Sequence, residues 1–467
     1  MTCLCAFGIA VSCSVDYRAD QAAYERKLCA TKPTSCAEGG IESGAGEAGG
    51  PSVGGSHAGS SLGGSPHGGG SFGGSSLGGA PQPAAGAGGD EAGGMGGAAG
   101  ASGVLCSDGN KRCHGGNAEQ CANGAWDVTV CDGGTPACEL GSCVVCVNGS
   151  GSCDDQTPEQ CVNHAWAAQA ACTGNSLCQT GQCVTPASCT GLAATCGPNG
   201  DESCCASIHV PGGDFYRRSD ALYPATISDF VLDKYEITVG RFRKFVAAYP
   251  GNKPVAGDAA RPKIAGSGWQ DAWNVNLAVT ANVLITNTKC NGYATWTDAA
   301  GANENRPINC IDWYTAFAFC SWDGGWLPSD LEWNYAATGG DAQRLYPWGD
   351  TPPPYDATHA VYSCYYMGNG TSCSLMSGNI GPVGSTSAGA GLWGHFDLVG
   401  NVEEWNLDTD GAFPPTCVDC VNLMGGTRVV HGGYFSAQAD ALKTTLGGSG
   451  VPSQRGSTNG ARCGRLP

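Results

Sequence analysis

The feature that most constrains this chain is a duplicated spacing of cysteines. Cys106, Cys113, Cys121, Cys131, Cys138 and Cys143 are separated by gaps of 7, 8, 10, 7 and 5. Cys146, Cys153, Cys161, Cys172, Cys178 and Cys183 follow with gaps of 7, 8, 11, 6 and 5. Other positions agree. Glu119-Gln120-Cys121 matches Glu159-Gln160-Cys161, Trp126 matches Trp166, and Gly141-Ser142-Cys143-Val144 matches Gly181-Gln182-Cys183-Val184. Agreement beyond the cysteines marks an internal duplication. A third unit opens at Cys189 and Cys196, repeats the step of 8 to Cys204, and breaks off. Six cysteines in about 40 residues suit a disulfide-stapled module, too small for a full core. Spacing does not choose among the fifteen pairings open to each unit. Zinc is the competing reading, weakened by the lack of CxxC pairs with matching His spacing. Trp126 and Trp166 read as the one large core residue of each module, with a ligand-facing ring as the alternative.

Twenty-nine cysteines in 467 residues argue for an oxidising compartment. The net charge of −18, with no basic run, argues against nucleic acid and anionic membrane surfaces as partners. No apolar run is long enough to span a bilayer. The N-terminal residues 1–36 read as the remnant of an export signal. Leu4 to Val11 is apolar, and Ser12-Cys13 after it resembles a bacterial lipobox with Cys13 as the lipidated residue. The competing reading is a frayed terminus. Any membrane association would then run through that lipid anchor. The expected location is extracytoplasmic: a cell-surface, periplasmic or secreted lipoprotein. Residues 37–105 are mostly Gly, Ser, Ala and Pro and contain no Lys, Arg or Cys. They cannot bury enough apolar surface to offset ordering entropy and read as a disordered Gly/Ser-rich linker. The Cys-rich repeats fill 106–205.

Residues 206–467 have the composition of a globular domain. The spacing predicts a helix over Val239 to Ala248, with Val239, Phe242, Phe245 and Val246 inward. A second starts near Asp312 and buries one stripe of Trp313, Ala316, Phe317 and Cys320. A third starts at Ser329, where Ser329-Asp330-Leu331-Glu332 is a capping box and Gly339-Gly340 the stop. Asp408-Thr409-Asp410-Gly411 reads as a solvated turn. The eight His are dispersed, with no HxH or HExxH, and no GxSxG elbow or phosphate loop is present.

Several segments of this domain carry a family resemblance. They are Val210 to Tyr216 (VPGGDFY), Leu232 to Val246, Arg306 to Ala337, Tyr346 to Asp350 (YPWGD), His395 to Trp405 (HFDLVGNVEEW), Arg428 to Phe435 (RVVHGGYF) and Asn459 to Arg465 (NGARCGR). Together they resemble the formylglycine-generating enzyme, or sulfatase-modifying factor, family. The resemblance implies an irregular α+β fold of the C-type-lectin-like kind. It also implies a bridge between Cys320 and Cys463, and a Ca²⁺ site of hard oxygen donors: the Asp397 and Glu404 side chains and the Gly400 and Val402 carbonyls. A carboxylate cluster that only caps turns is the competing reading there. A second family calcium site would fall near Ala360-Val361, where Ala360 stands for an Asn ligand, and is not carried over.

The family's oxidases convert a substrate Cys to formylglycine with two copper-binding Cys five residues apart, after a Gly-Gly motif. Gly432-Gly433-Tyr434-Phe435 matches that motif, but the two positions carry Ala437 and Leu442. Neither side chain can ligate copper, so copper is doubtful. The Arg before Gly-Gly is replaced by His431, and the family's second bridge lacks both partners, one at Ala337. Cys364 with Cys373, and Cys417 with Cys420, read as loop staples, the latter alternatively as a redox or copper pair. Two functions are consistent with these residues. One is an exported, surface-anchored binding module, stabilised by calcium and docking a peptide or glycan. The other is an oxidoreductase of the same family with a rebuilt centre, using His431, Cys417 and Cys420.

Overall fold

Each cysteine repeat folds as a three-stranded meander followed by a hairpin. In the first, β1 (Lys111–His114), β2 (Asn117–Ala122) and β3 (Ala125–Thr129) pair antiparallel in that order, and β4 (Ala137–Glu139) pairs with β5 (Ser142–Val144). In the second, β6 (Gly151–Asp154), β7 (Thr157–Val162), β8 (Ala165–Ala168), β9 (Leu177–Gln179) and β10 (Gln182–Val184) repeat the plan. Asn123-Gly124, Leu140-Gly141, Asn163-His164 and Thr180-Gly181 join the strands with positive φ at both residues. That is the type I′ geometry, whose twist matches that of the strands. A Cβ on Gly181 would lie 2.5 Å from the Gly151 Cα, so the repeat needs glycine there for space as well as for φ.

The computed structural model describes residues 106–467 except 115, 133–134, 263, 369, 371–372 and 374–375. The readings of 1–36, of 37–105 and of Cys13 lie outside the described residues. Within the repeats the bridges are Cys106–Cys121, Cys113–Cys138 and Cys131–Cys143, then Cys146–Cys161, Cys153–Cys178 and Cys172–Cys183. Both units use the connectivity first to third, second to fifth, fourth to sixth. With every sulfur bridged, no thiolate remains for zinc. Trp126 and Trp166 are only half-buried, so neither is a core residue. Arg112 lies 4.1 Å above the Trp126 ring. What these units bury is chiefly sulfur: Cys121, Cys146, Cys161 and Cys178 are each about 2% exposed.

The truncated third unit belongs structurally to the C-terminal domain. Its bridges are Cys189–Cys205 and Cys196–Cys204. Cys196 and Cys204 pack with Tyr235, Val383 and Phe396. Ser188 N donates to Asp323 Oδ1 (2.8 Å) and Arg241 Nε to Ser188 Oγ (3.0 Å), all buried. The second repeat touches the same domain through Gln156 Nε2 to Ser207 O (3.2 Å), Gln179 Nε2 to Gly324 O (3.4 Å) and Thr180 N to Pro467 O (3.2 Å).

The C-terminal domain mixes helices with three small sheets. β11 (Ser207–Val210), β14 (Phe230–Asp233) and β20 (Gly464–Arg465) form one, and β12 (Gly213–Tyr216), β13 (Pro224–Ile227) and β16 (Cys417–Val418) another. β18 (Gly447–Gly450), β17 (Arg428–His431), β15 (Glu403–Thr409) and β19 (Asn459–Gly460) form the third, in that order. The helices are α1 (Val239–Ala248), α2 (Ala281–Asn287), α3 (Trp313–Trp322) and α4 (Asp330–Thr338). All four start where a side chain accepts an orphan N–H: Thr238 from Arg241, Thr280 from Val283, Asp312 from Thr315, and Ser329 from Glu332 in a complete capping box. Gly339, left-handed, ends α4. α1 buries the expected face. α3 differs from the one-stripe reading, because it is buried nearly all round, and α4 is buried likewise. α3 lies in a cluster containing Phe242, Phe245, Trp269, Trp405 and Leu407. Each such fully buried apolar side chain contributes about 1.5–3 kcal/mol. Cys320–Cys463 closes a separation of 143 residues across this core. Cys290–Cys310, Cys364–Cys373 and Cys417–Cys420 are also bridged, the first a pair that no motif singles out.

Candidate functional site

The loop that leads into β15 carries the candidate metal residues. Asp397 (φ 55°), Gly400 (φ 85°) and Asn401 (φ 58°) are left-handed, which coils the chain tightly before the strand begins. Asp and Asn tolerate this because their short side chains hydrogen-bond locally. Gly400 is required twice over, since a Cβ there would lie 2.6 Å from Val361 O. Asn401 N donates to Val361 O and Gly400 N to Gly432 O, both at 2.8 Å. The loop is thus pinned between residues 361 and 432.

The side chains of this loop sit in a buried cluster with unbalanced charge. Arg462 Nε and Nη2 donate to both oxygens of Glu404 at 2.7–2.9 Å. Trp333 Nε1 adds a further bond to Glu404 (2.9 Å). Glu236 accepts from Asn401 Nδ2 (2.7 Å) and Val402 N (3.0 Å). Asp397 accepts from Gly384 N (2.5 Å) and weakly from Thr386 Oγ1 (3.4 Å). Three buried carboxylates therefore share one guanidinium. Burial, then the charges of Asp397 and Glu404, push the Glu236 carboxyl well above the usual carboxylate range. Burial, opposed by the Gly384 N–H and Arg462 and helped by Glu404, pushes Asp397 up to about 6.

These residues fit a hard dication in donor class and in charge. The donors are oxygens only, and the cluster carries more negative charge than Arg462 offsets. Among the described residues no three His, Cys, Asp or Glu side chains converge as a metal centre by themselves, so carbonyls have to complete any set. Asp397 keeps lone pairs for a cation. Glu404 is committed to Arg462 and Trp333, and takes part chiefly through its charge.

The segment that holds the copper pair in the family's oxidases is filled here by apolar packing. Ala437 is 7% exposed, and its carbonyl accepts from Ser363 N (2.9 Å) and Oγ (3.1 Å). Leu442 is wholly buried in a cluster with Phe215, Trp333 and Tyr335. His431 stacks on Trp333, with ring centroids 4.4 Å apart and 5° between planes. Its Nε2 lies 2.5 Å from Asp330 Oδ1 and its Nδ1 3.1 Å from Leu446 O. Burial raises the Asp330 carboxyl, but Arg218, His431 and Arg217 outweigh it and hold the group low.

Asp408 corrects the solvated-turn reading. It lies in β15, is 4% exposed, and accepts from Asp330 N and Asn422 N, both at 2.8 Å. Burial and the Asp330 charge push it up to about 7. Glu236 and Arg462 join the site without belonging to any of the motifs that predict it. Their signal in the sequence is a charge inside an apolar run, Tyr235-Glu236-Ile237 and Ala461-Arg462-Cys463.

Every cysteine among the described residues is bridged, and no helix among them is long and apolar enough to cross a membrane. Comparison with known proteins places the domain. Mouse inactive C-alpha-formylglycine-generating enzyme 2 is 26% identical over 279 residues, covering 55% of this chain and 85% of that protein. The formylglycine-generating enzyme of Streptomyces coelicolor is 26% identical over 303 residues, covering 55% and 88%. Among solved structures, PvdO from Pseudomonas aeruginosa aligns with a TM-score of 0.37 at 19% identity, covering 56% of this chain and 94% of that one. The model of the sulfatase-modifying factor enzyme 1-like domain matches residues 193–466, more than half of the chain, and the chain therefore belongs to the sulfatase-modifying factor family.

Proposed function

We propose that this protein is an exported binding module, built on a sulfatase-modifying factor domain that does not carry out the family's copper oxidation. The carrying observation is the pair Ala437 and Leu442, both buried, at the positions of the copper-binding cysteines. The bridging of every described cysteine supports the same reading, as does the likeness to a relative named inactive. The domain has a C-type-lectin-like fold and is stabilised by calcium. Asp397 and the Gly400 and Val402 carbonyls hold the ion, with Glu404 supplying charge, and an oxygen at the expense of a bond to Arg462. Bound Ca²⁺ offsets the repulsion among Asp397, Glu236 and Glu404, so it acts on the fold and takes no part in redox chemistry. The repeats and the Gly/Ser-rich segment space the domain from a surface to which Cys13 is anchored by lipid. The ligand is a peptide or a glycan.

The test uses the full chain. Metal analysis after dialysis is expected to find calcium and no copper. Incubation with Cu(I) and a peptide bearing a sulfatase's substrate cysteine is expected to leave that cysteine unchanged by mass spectrometry. Formylglycine in the peptide would overturn the reading.

A further inference from the structure

The bridge Cys417–Cys420 has surroundings that the binding-module reading does not use. Its two sulfurs are three residues apart in the sequence Cys417-Val418-Asp419-Cys420. The bridge is held in place from both sides. Cys417 is in register with Ala225 across the parallel β13–β16 pair, and the Asp419 carboxylate accepts from Ser228 N (2.7 Å) and Oγ (2.6 Å). Arg217 Nη2 donates to Cys420 Sγ at 2.9 Å and reaches Cys417 Sγ at 3.4 Å. Arg217 is only 4% exposed, and the Phe413 ring covers it at 4.3 Å. Its Nε lies 3.9 Å from Asp330 Oδ2, with Arg218 and Asp408 as the other charges near it. Among the described residues no other bridge has a guanidinium on its sulfurs. Cys417 also opens onto a cavity of about 770 Å³, whose wall includes Phe215, Tyr216, Asp214, Asp341 and Val418.

A guanidinium does little for a neutral disulfide and much for a thiolate. Placed on these sulfurs, Arg217 stabilises the reduced form over the oxidised one, which makes the disulfide a stronger oxidant. We propose that Cys417–Cys420 is a redox-active disulfide that oxidises thiols of a peptide entering the cavity beside it. The peptide's thiolate attacks Cys417 Sγ, Cys417 being the member of the pair that lines the cavity. The peptide–Cys417 disulfide forms, the Cys417–Cys420 bond breaks, and the Cys420 thiolate leaves beside Arg217. A second thiol of the peptide then attacks the peptide sulfur of that mixed disulfide and expels the Cys417 thiolate. Two peptide thiols are joined as a disulfide, and two electrons pass to the Cys417–Cys420 pair. The two peptide protons end on Cys417 and Cys420 or in solvent. The acidic wall residues Asp214 and Asp341 favour a peptide with basic flanks. The inference is independent of calcium and of the family's copper pair. Arg217 is a positioning and charge residue, and Cys417 is the attacked one.

The full chain would be equilibrated with graded glutathione, quenched in acid, alkylated and mapped by mass spectrometry. Cys417 and Cys420 are expected to be the first pair alkylated, at about tenfold less reductant than Cys320 and Cys463. Arg217→Gln is expected to raise the reductant needed by about tenfold, and Arg217→Lys, which keeps the charge, to raise it less. Cys420→Ser, incubated with the disulfide form of a basic peptide, is expected to trap the peptide on Cys417. Reduction of Cys417–Cys420 only together with the other bridges would overturn the proposal. So would folded Arg217 variants that reduce like the wild type, or Cys420→Ser that traps no peptide.

Discussion

Two buried charge clusters in the C-terminal domain differ in their balance. In the first, Asp233 and Asp323 face Arg241 and Arg465. Arg241 bonds the two carboxylates at 2.8 and 2.7 Å, and Arg465 bonds Asp323 at 2.8 Å and Asp233 as well. Charges are equal, and the arginines outweigh burial to hold Asp233 low. In the second, Glu236, Asp397 and Glu404 face Arg462 alone, and burial with mutual repulsion pushes Glu236 and Asp397 up. The first cluster is complete and needs nothing from solution. The second is complete only with added positive charge, whether protons or a cation.

The comparison is broken most directly at the balanced cluster. Arg241→Met leaves two buried carboxylates to Arg465, with an expected loss of about 3–5 kcal/mol in urea denaturation. Calcium should not restore it, and a rescue by calcium would mean that the clusters are not distinct. At the unbalanced cluster, saturating calcium at about a hundred times its Kd is expected to add about 2.7 kcal/mol over the chelated protein. No calcium-dependent change in Tm would remove the ion from the account. Asp397→Asn sharpens the point, because it keeps an acceptor for Gly384 N and deletes one charge. At neutral pH it is expected to stabilise the calcium-free protein by about 1–2 kcal/mol and to shrink the calcium response.

A smaller effect is expected from a further carboxylate pair, Asp330 and Asp408. Asp408 titrates near 7 when folded, against an ordinary value of about 4. The folded state thus keeps a proton that the unfolded chain has lost. This contribution is full below about pH 4 and is lost as pH rises through 7. Asp330, held low, acts only below that window. Asp408→Asn is expected to flatten the decline between pH 5 and 8 by about 1 kcal/mol in chemical denaturation. An unchanged profile would place the titration elsewhere.

Local order was legible in the sequence, and long-range charge was not. The capping box at Ser329 and the period of α1 are written within a few residues. The wrapping of α3 by aromatic rings on other segments is not, and so its burial on all sides exceeds one stripe. The duplication was plain from spacing, yet first-to-third, second-to-fifth pairing was hidden, because spacing is the same for every pairing. Asp408 sits in a run that looks like a turn, and it is held inside by the N–H groups of Asp330 and Asn422, which lie on other segments. Glu236 stands at one end of the domain and its counter-charge Arg462 at the other, so nothing local shows that they share a pocket.

The interlaced bridges of the two repeats have a mechanical consequence. Within each unit the loop closed by the second and fifth cysteines overlaps the other two, so a pull along the chain is carried by sulfur bonds rather than by the short hairpins. Such a unit has little hidden length to release under load. Beyond the second repeat, the force would pass through Ser188 and Asp323 to Arg241, inside the balanced charge cluster. Pulling on the second repeat would load the hydrogen bonds that join it to the domain before any sulfur bond, and extension would begin there.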